Sequence, residues 1–215
     1  MKTIAVVTAL TNNRTKLQEP LVKEEGVTYT CFTDDPELRS EGWNVVVIEG
    51  LNHKKPKMFP YLFVGEHDYY VWVDACVQLK SKPSDVVRSV EGDWDVAVFK
   101  AEDHDCAYKE AEACLSLKLS PVEDVDKATR YLKREGYPKN NGMVSGGVIL
   151  YKKELNKGFN DLWYWFISQM CSRDQVSFNY CVWKTSVKLG FIPGFIRNNK
   201  FLKCKWRMVD NGKRR

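Results

Sequence analysis

Tyr69-Tyr70-Val71-Trp72-Val73-Asp74-Ala75-Cys76 sets five large apolar or aromatic residues in a row and stops them abruptly at a carboxylate. A run this short, rich in aromatic and β-branched side chains and without polar alternation, predicts a strand buried on both faces in the middle of an α/β sheet. Asp74 then stands at the strand's carboxyl end. Ligands of open α/β sheets bind in the crevice beyond those ends, so a carboxylate there is placed to hold a metal or a ribose. An Asp in that position also serves simply to open a turn.

Similar runs flank it. Residues 3 to 9 predict a first buried strand followed by the polar loop Thr11-Asn12-Asn13-Arg14-Thr15, residues 27 to 32 a second ending at Thr33-Asp34-Asp35-Pro36, and residues 43 to 48 a third. Residues 54 to 64 read as helical after Pro56, with Pro60 an obstacle to one continuous helix. A short helix over 83 to 90 and a strand over 95 to 99 follow. Ser120-Pro121-Val122-Glu123 and Ser172-Arg173-Asp174-Gln175 both read as capping boxes. The first predicts a helix with Val122, Val125, Thr129 and Leu132 inward, the second one with Val176, Tyr180, Trp183 and Val187 inward. Between them, Gly146-Gly147-Val148-Ile149-Leu150-Tyr151 predicts another buried strand, and Phe159, Leu162, Phe166 and Met170 a core-facing helical stripe. The last segment reads as irregular or as a late strand. Alternation of strand and helix implies an α/β fold, a central mainly parallel sheet flanked by helices.

The chain has 215 residues, enough for one substantial core, and reads as a single domain over 1 to 215. Neither G-x-G-x-x-G nor G-x-x-x-x-G-K-[ST] occurs, so a standard dinucleotide fold and a P-loop NTPase are both excluded. No apolar run approaches the roughly 20 residues of a membrane span, and the chain reads as cytoplasmic. Seven cysteines at positions 31, 76, 106, 114, 171, 181 and 204 show no zinc-ligand spacing and read as thiols in a reducing compartment. Of the net charge of +5, the stretch from 196 to 215 carries +7, from eight Lys or Arg and one Asp, and the remainder about −2. This asymmetry points to a local anionic partner.

Lys57-Met58-Phe59-Pro60, residues 69 to 79, Asp105-Cys106-Ala107-Tyr108-Lys109-Glu110-Ala111, Gly146-Gly147-Val148-Ile149 and Ser172-Arg173-Asp174-Gln175-Val176-Ser177-Phe178 occur in that order. Together they resemble successive landmarks of a small family of GT-A-fold (Rossmann-like) glycosyltransferases of plants, microbes and large DNA viruses. The compactness here is most similar to the chlorovirus members. The resemblance implies a UDP-sugar donor, a divalent cation (Mn²⁺ or Mg²⁺), a glycan or glycoprotein acceptor, retention of anomeric configuration, no nucleic-acid partner and, if viral, a host-cytoplasmic location.

By the same resemblance Asp74 would hold the cation, while Lys57 and Lys203, Lys205 or Arg207 would add positive charge around the diphosphate. Thr8, Ala9 and Arg14 would line the base pocket and Asp34 would meet the base or ribose. Asp174 and Arg173 lie in the segment the family sets near the donor sugar, where Asp174 would orient a hydroxyl, stabilise an oxocarbenium-like centre or act as a base. An Asp in a helix's first turn is also favoured by the macrodipole alone. Gly146 and Gly147 would let the sugar approach the backbone, or serve strand entry only. His104 would meet the acceptor, or be an ordinary loop histidine. The family pattern sets a second metal carboxylate at the position of Cys76. A thiol is a poor ligand for the hard Mg²⁺ ion and a somewhat better one for Mn²⁺, so Cys76 reads as a substitute ligand or as packing.

Two rivals remain at this stage. A sugar-nucleotide nucleotidyltransferase would carry a glycine-rich loop after the first strand, and residues 8 to 15 lack glycine. A nucleic-acid-binding module would rest on the basic tail alone.

Overall fold

The computed structural model describes residues 2–12, 15–153 and 157–205. Its centre is a seven-stranded sheet ordered β3-β2-β1-β4-β7-β6-β8. The strands are β1 (Ile4–Leu10), β2 (Thr28–Thr33), β3 (Asn44–Val47), β4 (Tyr69–Val73), β6 (Val96–Lys100), β7 (Val144–Lys152) and β8 (Leu189–Phe195). β1 is parallel to β2 and β4, β2 to β3, and β6 to β8. β7 alone opposes its neighbours, lying antiparallel to both β4 and β6. The mixed, mostly parallel α/β sheet expected from the alternation of elements is therefore present, with the GT-A arrangement. A two-stranded ribbon, β5 (Val77–Leu79) with β9 (Leu202–Cys204), closes one end.

Apolar runs without alternation are explained by burial on both faces. Successive residues of each strand fall into two separate cores: Ala5, Val7, Tyr70, Trp72, Val96, Val98, Ile149 and Tyr151 in one, and Ile4, Val6, Val71, Val73, Ala97, Phe99, Val148 and Leu150 in the other. The first core also holds α1 (Lys54–Met58), α2 (Pro60–Val64), α4 (Ala107–Ser116), α5 (Val122–Arg134), α6 (Lys157–Gln169) and α7 (Asp174–Thr185). The second is covered by α3 (Pro83–Arg88) and the segment around Ile192 to Leu202. α7 is the central helix, with Val176, Ser177, Phe178, Asn179, Tyr180 and Cys181 all buried, which accounts for its weak amphipathic pattern.

Several local expectations are corrected. The segment 54 to 64 is two helices broken at Phe59, because Pro60 offers no N–H and starts a new helix instead. Neither capping box forms. Pro121 and Arg173 are the N-caps, so each serine sits one residue too early to reach the first turn, and the Ser120 hydroxyl accepts from the Cys171 thiol. α5 consequently buries Val125, Ala128 and Leu132, while Val122 is 59% exposed. Trp183, expected inward, is 41% exposed, and Val187 lies beyond the end of α7.

Candidate active site

The parallel strands end at one edge of the sheet, and β7 begins there because it runs the other way. β1 and β4 lie side by side, while the next strand of the sheet after β1, β2, lies on one flank and the next after β4, β6, lies on the other. This is the kind of switch point where α/β sheets bind ligands. A cleft of about 490 Å³ opens there, between the loop after β1, α1, the end of β4, the start of β7 and the start of α7.

Alternation along β4 puts Trp72 and Asp74 on the side of the sheet covered by α1. The indole Nε1 of Trp72 donates to Asp74 Oδ1 at 2.9 Å, and the Asp74 amide donates to the Gly147 carbonyl at 2.8 Å. On α1, Lys54 and Lys57 are three residues apart and share a helix face. Lys57 is only 4% exposed. Its Nζ lies 2.6 Å from Asp174 Oδ2 and 3.4 Å from Asp74 Oδ1, and 5.7 Å from the centroid of the Trp72 ring. Its backbone is held from behind by the Tyr151 hydroxyl, which donates to the Lys57 carbonyl at 2.9 Å. Lys54 Nζ shares the same Asp174 oxygen at 3.1 Å. Asp174 is 7% exposed, and its carbonyl is fixed by Trp163 Nε1 at 3.1 Å.

The resulting charges are strongly coupled. Burial alone would raise the Asp174 carboxyl, but Lys54 and Lys57 overcome it and hold the group well below the usual carboxylate range. Burial would likewise lower Lys57, yet its two carboxylates raise it. For Lys54 burial prevails, and its ammonium is lowered despite Asp174. Among the described residues, Asp174 Oδ1 and Asp74 Oδ2 accept no hydrogen bond, so each carboxylate keeps one oxygen for a ligand.

Gly146 and Gly147 enter the cleft through a register shift. β6 pairs Val98 with Ile149 and then Phe99 with Ser145, so the intervening residues of β7 bulge away from β6 beside the site. A Cβ on Gly146 would lie 3.5 Å from Lys57 Nζ and 3.7 Å from Asp174 Oδ2. Any longer side chain there would fill the space in front of the ion cluster.

One wall of the cleft is formed by Ala9, Leu10, Thr11 and His53, with Thr11 Oγ1 3.3 Å from His53 Nδ1. Asp34 stands behind this wall rather than in it. Its carboxylate accepts the Asn12 amide at 3.1 and 3.2 Å and so holds the loop, with Asn12 in the left-handed region at φ 55. Thr8 is fully buried in β1, outside the cleft wall, and its hydroxyl has no hydrogen-bond partner among the described residues. Arg14 and Arg207 lie outside the described residues. Lys205 touches the site only indirectly, its amide donating to the Cys76 carbonyl at 3.0 Å.

The opposite wall is formed by Ala101, Glu102, Asp103, Glu110, Arg173 and Arg197. His104 does not line the cavity but supports one that does, with Nε2 3.0 Å from Glu110 Oε2. Burial would lower the Arg173 guanidinium, but Asp174 raises it, with Cys114 and Glu110 adding to the effect. Lys54, Trp72, Glu110 and Gln175 were not singled out from the sequence. Lys54 carried a usable signal, its helical spacing from Lys57, whereas Glu110 carried only its place in the landmark around Tyr108.

For a divalent cation the donor set is sparse. Among the described residues no group of three His, Cys, Asp or Glu side chains gathers in a metal-binding arrangement. Asp74 fits as a single carboxylate ligand of the kind Mg²⁺ and Mn²⁺ use when substrate phosphates and water complete the shell. Cys76 lines the cleft but is 8% exposed and packs with Val73, Ala75 and Val77.

Comparison with known proteins agrees with this architecture. The model of the TOD1/MUCI70 glycosyltransferase-like domain matches residues 39–213. The apo structure of the bifunctional glycosyltransferase WbbM is similar in fold, with a TM-score of 0.51 at 11% identity over 89% of this chain. The chain spans 39% of the length of that structure. No curated protein matches the chain in sequence.

Proposed function

The chain belongs to the TOD1/MUCI70 glycosyltransferase-like family, and from that premise we propose that its cleft transfers a hexose or deoxyhexose from a UDP-sugar to a hydroxyl of a glycan acceptor. Glycosyl transfer is the chemistry of the class; the uridine nucleotide, the cation and retention of configuration are the finer parts of this proposal. The observation that carries it is the Lys57 ammonium bridging Asp74 and Asp174 on the floor of a cleft at the sheet's switch point.

Breaking a sugar–diphosphate bond leaves negative charge on a phosphate oxygen, and the cleft must neutralise it without first reorganising. Asp74, with its outer oxygen unused, would hold Mn²⁺ or Mg²⁺ against the diphosphate. The cation would supply charge neutralisation for the departing group. Lys57 fixes Asp74 and Asp174 relative to each other, so that donor and sugar meet a preset frame. Asp174 Oδ1 would accept a hydroxyl of the donor sugar. With Oδ2 bound to two ammoniums and its basicity suppressed, Asp174 is suited to orienting and electrostatic work rather than to taking a proton. Gly146 and Gly147 leave room for the sugar ring, and Glu110 with Arg173 faces the acceptor side.

Calorimetric titration with UDP, with and without Mn²⁺, combined with a transfer assay on Asp74→Ala, tests the reading. The variant should lose transfer and bind UDP more weakly. Undiminished turnover in Asp74→Ala would refute the role of that carboxylate, and a wild-type protein blind to every nucleotide would end the proposal.

A further inference from the structure

Lys57 and Lys54 present the same charge to the cleft but are not equivalent. Lys57 is committed to the protein: its ammonium reaches both carboxylates and lies near the Trp72 ring. Lys54 has a single partner among the described residues, Asp174 Oδ2, and that oxygen already receives the shorter contact from Lys57. An ammonium has three N–H donors. Two of those on Lys54 are therefore unused by the protein, on a side chain that is 21% exposed and lines the cleft. A cation in that setting is incompletely compensated and is stabilised by an anion arriving from the cleft.

The opposite deficiency lies beside it. The carboxylate Asp74 is followed two positions later by the thiol Cys76, and no second acidic ligand accompanies it in a metal-binding group among the described residues. A diphosphate brings more negative charge than one carboxylate-held cation cancels. Resting on the donor-site reading above, we propose that Lys54 is a catalytic residue that supplies this missing charge, donating its unused N–H groups to the leaving diphosphate.

In the transfer step the bond between C1 of the sugar and the β-phosphate oxygen breaks, and its electron pair stays on that oxygen. C1 gains a bond to the acceptor oxygen, whose proton passes to solvent. Lys54 keeps its own protons and stabilises the departing oxygen by charge and hydrogen bonds, while Asp174 stays neutralised by Lys57. The cleft thus holds part of its counter-charge covalently, which lessens its demand on metal.

The test is calorimetry of wild type, Lys54→Met and Lys54→Arg with UDP, UMP and inorganic pyrophosphate in EDTA, with thermal melts to establish that each variant is folded. In wild type UDP should bind more tightly than UMP. In Lys54→Met that preference should fall by about tenfold or more, the worth of a charge-assisted contact, and pyrophosphate binding should weaken in parallel. UMP binding should be little changed, and Lys54→Arg should restore most of the preference. An unchanged UDP-to-UMP ratio in folded Lys54→Met would overturn the role of Lys54 while leaving the donor site intact. Wild type that binds neither nucleotide nor pyrophosphate, in EDTA or with Mn²⁺, would overturn the donor-site reading and this inference together, whereas binding by wild type with Mn²⁺ alone would overturn the role of Lys54 only. Where transfer is measured, kcat with the nucleotide sugar should fall about a hundredfold or more in Lys54→Met, and added Mn²⁺ should not restore it.

Discussion

Replacing Asp174 by Asn removes one charge while keeping the side chain's shape, so its cost isolates the ion cluster from packing. In wild type, Asp174 Oδ2 neutralises Lys57 at 2.6 Å and Lys54 at 3.1 Å in a site where the aspartate is 7% exposed. The amide leaves two ammoniums close together with only Asp74 to offset them, 3.4 Å from Lys57. Removing one partner of a buried pair costs about 3–5 kcal/mol. For a protein of this size that corresponds to a fall in Tm of about 10 °C. The pH dependence gives a sharper signature. The Asp174 carboxyl is depressed when folded, so its stabilisation is complete above its unfolded value near 3.9 and is lost as pH falls through the folded one. Wild type should therefore forfeit its advantage over Asp174→Asn in acid. In the variant the lysines are lowered relative to the unfolded chain, so the penalty is present at neutral pH and is relieved as pH rises towards 10. Urea titrations at pH 2.5, 7 and 9.5, followed by tryptophan fluorescence, should show the largest gap at pH 7. A gap under about 0.5 kcal/mol at pH 7 would show that Asp174 does not hold a buried cationic pair.

Three further substitutions probe other parts of the molecule. Cys76→Asp should introduce a second hard ligand beside Asp74 and tighten Mn²⁺ binding in the presence of UDP, measured by calorimetry; no change would mean that position 76 does not face the cation. Glu110→Gln should raise the acceptor KM about tenfold with the donor KM unchanged, if the wall of Glu110 and Arg173 serves the acceptor as proposed; a matching donor effect would reassign that wall. Gly190→Ala should destabilise by about 1–3 kcal/mol in urea melts, because the added methyl would lie 2.7 Å from Val90 Cγ1 and 2.9 Å from Trp94 Cβ; a neutral result would mean that the segment from Val90 to Trp94, after α3, yields without cost.

The sheet was largely legible from the chain because burial on both faces leaves uninterrupted apolar runs, and Asp74 was visible as the place where the richest of them stops. Strand direction was not legible. Nothing in Val144 to Lys152 distinguishes an antiparallel strand from its parallel neighbours, since both are buried alike. The site was legible in its members and not in their pairing. Lys57 and Asp174 were each nominated, but their contact spans 117 positions, and no local pattern encodes it. Asp34 was nominated as a ligand group, and its carboxylate accepts the Asn12 amide and holds a loop, a contact that no local pattern announces. The serines at 120 and 172 show the limit of motif reading, because one residue of helix phase separates a cap from a bystander.

The placement of β7 has a consequence for how the polypeptide reaches this state. β4 and β6 are made early in the chain, yet neither pairs with the other; the strand that joins them arrives more than forty residues after β6 ends. Until then each has an open flank of unsatisfied amides, the kind of edge that recruits other chains. A truncated polypeptide stopping before residue 144 would hold the four-stranded half β3-β2-β1-β4 and a β6 with neither of its partners, and should precipitate rather than rest as a stable intermediate. Assembly of the whole is tied to these distant pairings, which points to slow maturation and a dependence on protection while the ribosome is still at work.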